Sequence, residues 1–191
     1  MSQNWQRFLQ WYSSYNEIGL SLDLSRIVPS DDAAAQLAPR LEKALASMKE
    51  LEAGAIANPD ENRMVGHYWL RAPSLAPTPE LTQAIIETLA NVKSFAAHVH
   101  NGAIKGSTGK NFTHVLSIGI GGSALGPQFI ADALGDESTD RMQIAFLDNT
   151  DPEGFHRVIG SLRGLLDQTL VIVISKSGST PETANGMLAI R

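Results

Sequence analysis

Five consecutive apolar residues, Leu170-Val-Ile-Val-Ile174, run directly into Ser175-Lys-Ser-Gly-Ser-Thr180 and then into Pro181. Most of the five are β-branched, and the run predicts a strand buried on both faces. Pro181 fits the first turn of a helix, where a missing N–H costs nothing, with Ser179 or Thr180 as its cap. Ser179-Thr-Pro-Glu182 also has the spacing of a capping box. A strand therefore empties into a hydroxyl-rich loop at a helix N-terminus, where unpaired N–H groups and the helix dipole favour an anion. An ordinary strand-to-helix turn needs one cap. Hydroxyls, a lysine and a glycine crowded into six residues exceed that need and point to phosphate.

The segment closes a longer alternation. His114 to Ile120 reads as a strand ending in Gly119-Ile-Gly-Gly-Ser-Ala-Leu-Gly-Pro127, with a helix following through Leu134. Gln143 to Leu147 is a second strand, closed by Asp148-Asn-Thr-Asp-Pro152, and a helix through about Leu166 leads to the third strand. Strand–helix–strand–helix–strand implies right-handed crossovers and a parallel sheet, so the class is α/β. Ligands of such sheets sit at the carboxyl ends of the strands, where both the glycine-rich and the serine-rich loop fall. The expected division is a helical N-terminal region, 1–110, followed by the α/β region, 111–191.

The helical region is read from its periodicity. Trp5, Phe8, Trp11, Tyr12 and Tyr15 are spaced to line one side of a helix over residues 1–20, as a stripe docked on the protein or offered to a partner. Leu22 to Val28 is ambiguous, and Pro29-Ser30-Asp31-Asp32 resets the chain. From Ala33 to Ile56, Leu37, Leu41, Ala44, Leu45, Met48 and Leu51 recur at helical spacing, with a kink or a late start expected at Pro39. Asn58 to Asn62 is a polar turn. His67-Tyr-Trp-Leu-Arg71 and the prolines that follow indicate an extended connection. Another helix starts at Thr78-Pro79-Glu80 and stops at Asn101-Gly102. Lys105-Gly-Ser-Thr-Gly-Lys110 is a loop whose likeness to a nucleotide phosphate loop is superficial, because its first glycine and the Ser/Thr after the lysine are misplaced.

Composition narrows the function. No stretch approaches the roughly 20 apolar residues of a membrane span, and the N-terminus lacks the order of a secretory signal. The chain has no cysteine, which excludes disulfides, thiolate metal sites and a cysteine nucleophile, and a cytoplasmic location fits. A net charge of −5 with no basic block argues against nucleic-acid binding, though not against a small anion in a local pocket. His98 and His100 diverge on a helix and cannot share a metal. His67, His114 and His156 are scattered and read as structural or surface residues. Asp148, Asp151 and Glu153 suit turn and cap roles. Lys176 fits a phosphate loop better than a Schiff base.

Gly119-Ile-Gly-Gly-Ser-Ala124 alone also fits Gly-x-Gly-x-x-Ala, a form of the dinucleotide fingerprint, with Asp148 where a ribose-binding acid would sit. Against a nicotinamide-dependent domain, a second phosphate loop has no place in that fingerprint, and the hydroxyl of Ser123 suits a polyol. Taken together, Ile118 to Pro127 and Val173 to Thr183 resemble the glucose-6-phosphate isomerase family, and Asn58 to Arg71 resembles the N-terminal region of its bacterial members. The resemblance implies a sugar-isomerase (SIS) domain and isomerisation between glucose 6-phosphate and fructose 6-phosphate through an enediol(ate), without metal or redox cofactor. It assigns Ser175, Lys176, Ser177, Gly178, Ser179 and Thr180 to the substrate phosphate, and Gly122 and Ser123 to the sugar. The family's base, its enediolate-stabilising arginine and its ring-opening histidine and lysine belong to motifs with no counterpart here. The expectation is an N-terminal fragment without a catalytic residue, from an enzyme that is a homodimer at full length. A non-catalytic sugar-phosphate-binding module is the alternative on the same fold.

Overall fold

The computed structural model describes residues 2–27 and 30–191, and the chain divides into two compact units between Thr88 and Leu89. In the first unit, helix α1 (Gln3–Trp11) is capped by Ser2, whose hydroxyl accepts the Trp5 N–H at 3.4 Å. The expected helix over residues 1–20 stops at Trp11. The chain continues as strand β1 (Tyr12–Tyr15), turns through Gly19 at φ +64°, and returns antiparallel as β2 (Leu20–Asp23). Ser13 and Ser14 are weak helix formers between two β-preferring tyrosines, and the turn glycine lets the hairpin close. The aromatic stripe survives in part, since Trp5 stacks on Phe8 and Phe8 on Tyr12 with centroids 5.4 and 4.9 Å apart.

Val28 and Pro29, within the expected chain reset, lie outside the described residues. Ser30 caps α2 (Asp31–Glu52), accepting the Ala33 N–H at 3.2 Å. Pro39 lies inside this helix, which starts eight residues before it, so the late start is not found. Ile56 does not extend α2; it pairs in a small antiparallel hairpin of β3 (Ile56–Asn58) and β4 (Arg63–Met64) around the polar turn. His67–Arg71 is a short helix, α3, rather than an extended connection. The reason lies in Trp69, which is buried and donates its Nε1–H to the carbonyl of Glu52 at 2.8 Å. That carbonyl is the last of α2 and lacks an intrahelical partner. Helix α4 (Pro79–His100) starts where Thr78 Oγ1 accepts the Leu81 N–H at 3.3 Å, and ends at Asn101-Gly102 with Gly102 at φ +74°.

The second unit alternates β5 (His114–Ile118), α5 (Gly122–Leu134), β6 (Gln143–Leu147), α6 (Pro152–Ser161), β7 (Thr169–Val173) and α7 (Pro181–Ile190). The strands form one parallel sheet in the order β6-β5-β7, in register from His114, Gln143 and Thr169 to Ile118, Leu147 and Val173. This is the expected α/β class. Leu116 and Ile118 of β5, Leu147 of β6 and Leu162 form the core, with Phe155, Val158 and Ile190 packed against it.

The most apolar strand is not the most buried one. Val171, Ile172 and Val173 of β7 remain 41, 39 and 41% exposed, whereas Leu116 and Ile118 of β5 are 0 and 1% exposed. Among the described residues only β5 has a paired strand on each side, and β7 forms an edge. Burial here follows position in the strand order more than composition.

The Lys105–Lys110 loop lies at the amino-terminal end of the sheet. Lys110 Nζ is 2.6 Å from Asp167 Oδ2, just ahead of β7, and holds the Asp167 carboxyl below its usual range. Thr113 N–H donates to the Gln168 carbonyl at 2.9 Å beside it. The loop thus ties the entrances of β5 and β7 together, at the end opposite the glycine-rich and serine-rich loops.

Candidate functional site

At the carboxyl ends of β5 and β7 the two loops leave the sheet side by side. Val173 pairs with Ile118, and the next residue, Ile174, donates its N–H to the Ile118 carbonyl at 2.8 Å. Gly119 N–H donates the other way across the sheet, to Leu147 of β6 at 3.2 Å. A Cβ on Gly119 would stand 3.0 Å from Ser123 Cβ and 3.2 Å from the Ile174 carbonyl oxygen, so the glycine is what lets the loops approach. Gly121 then takes φ +55° and opens α5 without a side-chain cap. Gly122 is exposed, and a Cβ there would meet nothing within 4 Å. Ser123 is half-buried behind it in the first turn of the helix. The backbone of Gly121 and Gly122 thus faces open space at a helix N-terminus, suited to a ligand that must come close.

The serine-rich loop is knitted by its own hydroxyls. Ser175 Oγ lies 3.1 Å from Thr180 Oγ1 and accepts the Gly178 N–H at 3.0 Å. Ser177 Oγ accepts from both the N–H and the hydroxyl of Ser179, at 3.2 and 3.1 Å, and lies 3.4 Å from Thr180 Oγ1. Gly178 sits at φ +74° in open space, which closes the turn. Ser175 and Thr180 are half-buried; Lys176, Ser177, Gly178 and Ser179 are exposed.

Thr180 is the cap residue of α7, yet its hydroxyl makes no capping bond. The Ser179–Glu182 capping box is not formed, because Ser179 turns to Ser177 and Thr180 to Ser175. Helices α1, α2 and α6 have side-chain caps, from Ser2, Ser30 and Asp151, while α5 and α7 do not. Uncapped first-turn N–H groups favour an anion, and in α5 those of Ser123 and Ala124 already donate to the Ile120 and Gly121 carbonyls at 3.1 and 3.0 Å.

The third carboxyl-end loop is differently employed. Gln128 Nε2 of α5 donates to Asp148 Oδ2 at 2.8 Å, and Asp151 accepts the Gly154 N–H at 2.6 Å as the cap of α6. The acid of the dinucleotide reading is thus engaged by α5. His114 Nδ1 lies 2.8 Å from the Thr113 hydroxyl at the far end of its strand. A concavity of about 630 Å³ also opens toward that far end, against Thr113, His114, Gln143 and the end of α5. It is not where the loops meet.

Three further residues, Gly119, Thr183 and Gly186, bear on this region. Gly119 was visible in the glycine run, but its partner Ile174 was not. Gly186 of α7 lies against β5, and a Cβ there would be 2.6 Å from Ile118 Cγ2. Thr183, one turn earlier, is 4% exposed, and its Oγ1 has no hydrogen-bond partner.

Residues 23–191 match the family described as phosphoglucose isomerase. The chain belongs to the phosphoglucose isomerase family. It is 56% identical over 189 residues to a glucose-6-phosphate isomerase of Synechococcus elongatus, covering 99% of this chain and 36% of that protein. The glucose-6-phosphate isomerase of Nostoc punctiforme is 54% identical over 187 residues, 98% of this chain and 35% of the relative. The chain thus spans about a third of the length of the curated phosphoglucose isomerase relatives it matches. Among the described residues no helix is long and apolar enough to cross a membrane.

Proposed function

We propose that this chain supplies the substrate-binding part of a glucose-6-phosphate isomerase, an aldose–ketose isomerase acting through an enediol(ate). The observation that carries the reading is the meeting of the two loops at Gly119 and Ile174, in a chain 56% identical to enzymes of that name. In this reading the hydroxyls of Ser175, Ser177, Ser179 and Thr180, the Lys176 ammonium, the Gly178 backbone and the uncapped start of α7 take the 6-phosphate. The sugar lies over Gly122 and Ser123, where a side chain would intrude.

The two loops offer hydroxyls, amides and one ammonium, and no base for C2–H abstraction. General acid–base groups each contribute about 10²–10⁴-fold. The 191 residues alone are therefore expected to bind hexose 6-phosphate and to turn it over negligibly. The division into 1–110 and 111–191, a homodimeric full-length enzyme and a cytoplasmic location belong to the same proposal. A non-catalytic sugar-phosphate module shares every feature of the site.

Titration with glucose 6-phosphate, glucose and a nicotinamide dinucleotide tests the ligand. Equal affinity for the first two, or preference for the dinucleotide, would sink the reading. A coupled isomerase assay on a protein of the relatives' full length separates enzyme from binding module.

A further inference from the structure

Glycine is required in the second unit for two different physical reasons. Gly121 and Gly178 have φ of +55° and +74° with nothing within 4 Å of an added Cβ, so the backbone conformation requires them. Gly119 and Gly186 are not in the left-handed region, and any L residue could adopt their backbone. What they lack is room. At Gly119 an added Cβ would meet Ser123 Cβ at 3.0 Å, the Ser123 carbonyl at 3.1 Å and the Ile174 carbonyl at 3.2 Å. At Gly186 it would meet Ile118 Cγ2 at 2.6 Å and Leu147 Cδ2 at 3.5 Å.

Both contacts bracket one residue, Ile118. Gly119 follows it in the chain and holds the glycine loop against the start of the serine-rich loop. Gly186 lies over its side chain and sets how close α7, the helix that the serine-rich loop opens, comes to β5. From these contacts we infer that Gly119 and Gly186 are positioning residues that fix the spacing between the phosphate-binding and sugar-binding loops. They touch no ligand; they act through Ile174 and Ile118. The inference rests on the reading of the two loops as one hexose-phosphate site.

A phosphate ion needs only the serine-rich loop, whereas a hexose 6-phosphate needs both loops at a set separation. Widening that separation by a few tenths of an ångström should therefore weaken the two ligands unequally. The experiment measures affinity of the full chain for orthophosphate, glucose and glucose 6-phosphate, with thermal unfolding alongside, for the native protein, Gly119→Ala and Gly186→Ala. Gly160→Ala is the control, inside α6, where an added Cβ meets nothing within 4 Å.

Each loop-spacing variant should lose about tenfold in glucose 6-phosphate affinity, the equivalent of one hydrogen bond of roughly 1.4 kcal/mol, while orthophosphate affinity holds. Ile118→Leu moves the branch away from Cβ and removes the methyl that Gly186→Ala would strike. Adding it to Gly186→Ala should restore the discrimination, which a double-mutant cycle reads directly. Equal loss of orthophosphate and glucose 6-phosphate in both variants, or no restoration by Ile118→Leu, overturns the positioning role. A native protein that binds glucose as well as glucose 6-phosphate overturns the underlying site reading instead.

Discussion

The N–H of Ile174 donates to the carbonyl of Ile118 at 2.8 Å, one step beyond the last register pair of β5 and β7. The glycine-rich and serine-rich loops therefore spring from the same hydrogen-bonded rung. Whatever the serine-rich loop binds is held at a defined height relative to whatever lies on the glycine loop.

Thr180 is the hub of the hydroxyl network, with Ser175 Oγ at 3.1 Å and Ser177 Oγ at 3.4 Å. Thr180→Val keeps the shape and removes the hydroxyl. It should weaken glucose 6-phosphate binding by about 1.5–3 kcal/mol, the range for a hydrogen bond to a charged group. Ser175→Ala and Ser177→Ala should fall in the same range. Calorimetric titration checks this, and unchanged affinity in all three would exclude the loop as the phosphate site.

Gly178 stands at φ +74° with open space around it. Gly178→Ala should cost about 1–2 kcal/mol, the penalty of a Cβ in left-handed backbone, with no clash to relieve. Urea unfolding gives the cost. A neutral substitution would show that the loop adopts another conformation in solution.

Asp167 gains its acid-side behaviour from Lys110, whose ammonium is 2.6 Å away and whose hydrogen bond is the largest influence on the carboxyl. The folded pKa lies below the ordinary 3.8. Stability from the pair is thus fully present above that value and is lost as pH falls through the lower folded value. Lys110→Met should flatten the acid side of a stability–pH curve below about pH 4, with a small effect near about pH 7. An unchanged acid limb would mean that the pair is not maintained in solution.

Trp69 joins α3 to the end of α2 through the Glu52 carbonyl. Trp69→Phe leaves that carbonyl without its partner and should cost about 1–3 kcal/mol. Chemical unfolding of the variant measures it. A loss well under this range would mean that water replaces the indole.

Periodicity in the sequence located much of the second unit. Gln143–Leu147 and the end of α5 at Leu134 fall where residue alternation and spacing put them, because each is bounded by turn residues. The prediction for β7 failed on burial, since Leu170–Ile174 is the more apolar run yet the edge strand. Strand order is set by how crossovers pack, and a strand's own composition does not encode its neighbours. Tyr12–Tyr15 was misplaced because its aromatics also satisfy helical spacing; Gly19 decided the hairpin from outside the pattern. The capping box at Ser179 was legible as spacing, but the competing hydroxyls of Ser175 and Ser177 are brought there only by the folded turn. Glycines required by space rather than by φ, such as Gly186, carry no local signature at all.

The central place of β5 has a consequence in time. Leu116 and Ile118 are the most completely buried large side chains described, and their strand is paired on both sides. Backbone amides in such a strand exchange with solvent only when the whole unit opens, whereas loops open by local fluctuation. The glycine-rich loop begins at the end of this strand, and the serine-rich loop that follows β7 is tied to the same end by the Ile174 N–H on the Ile118 carbonyl. Deuterium uptake should therefore be slow through Leu116 and Ile118 and rise steeply within the few residues that follow Ile118.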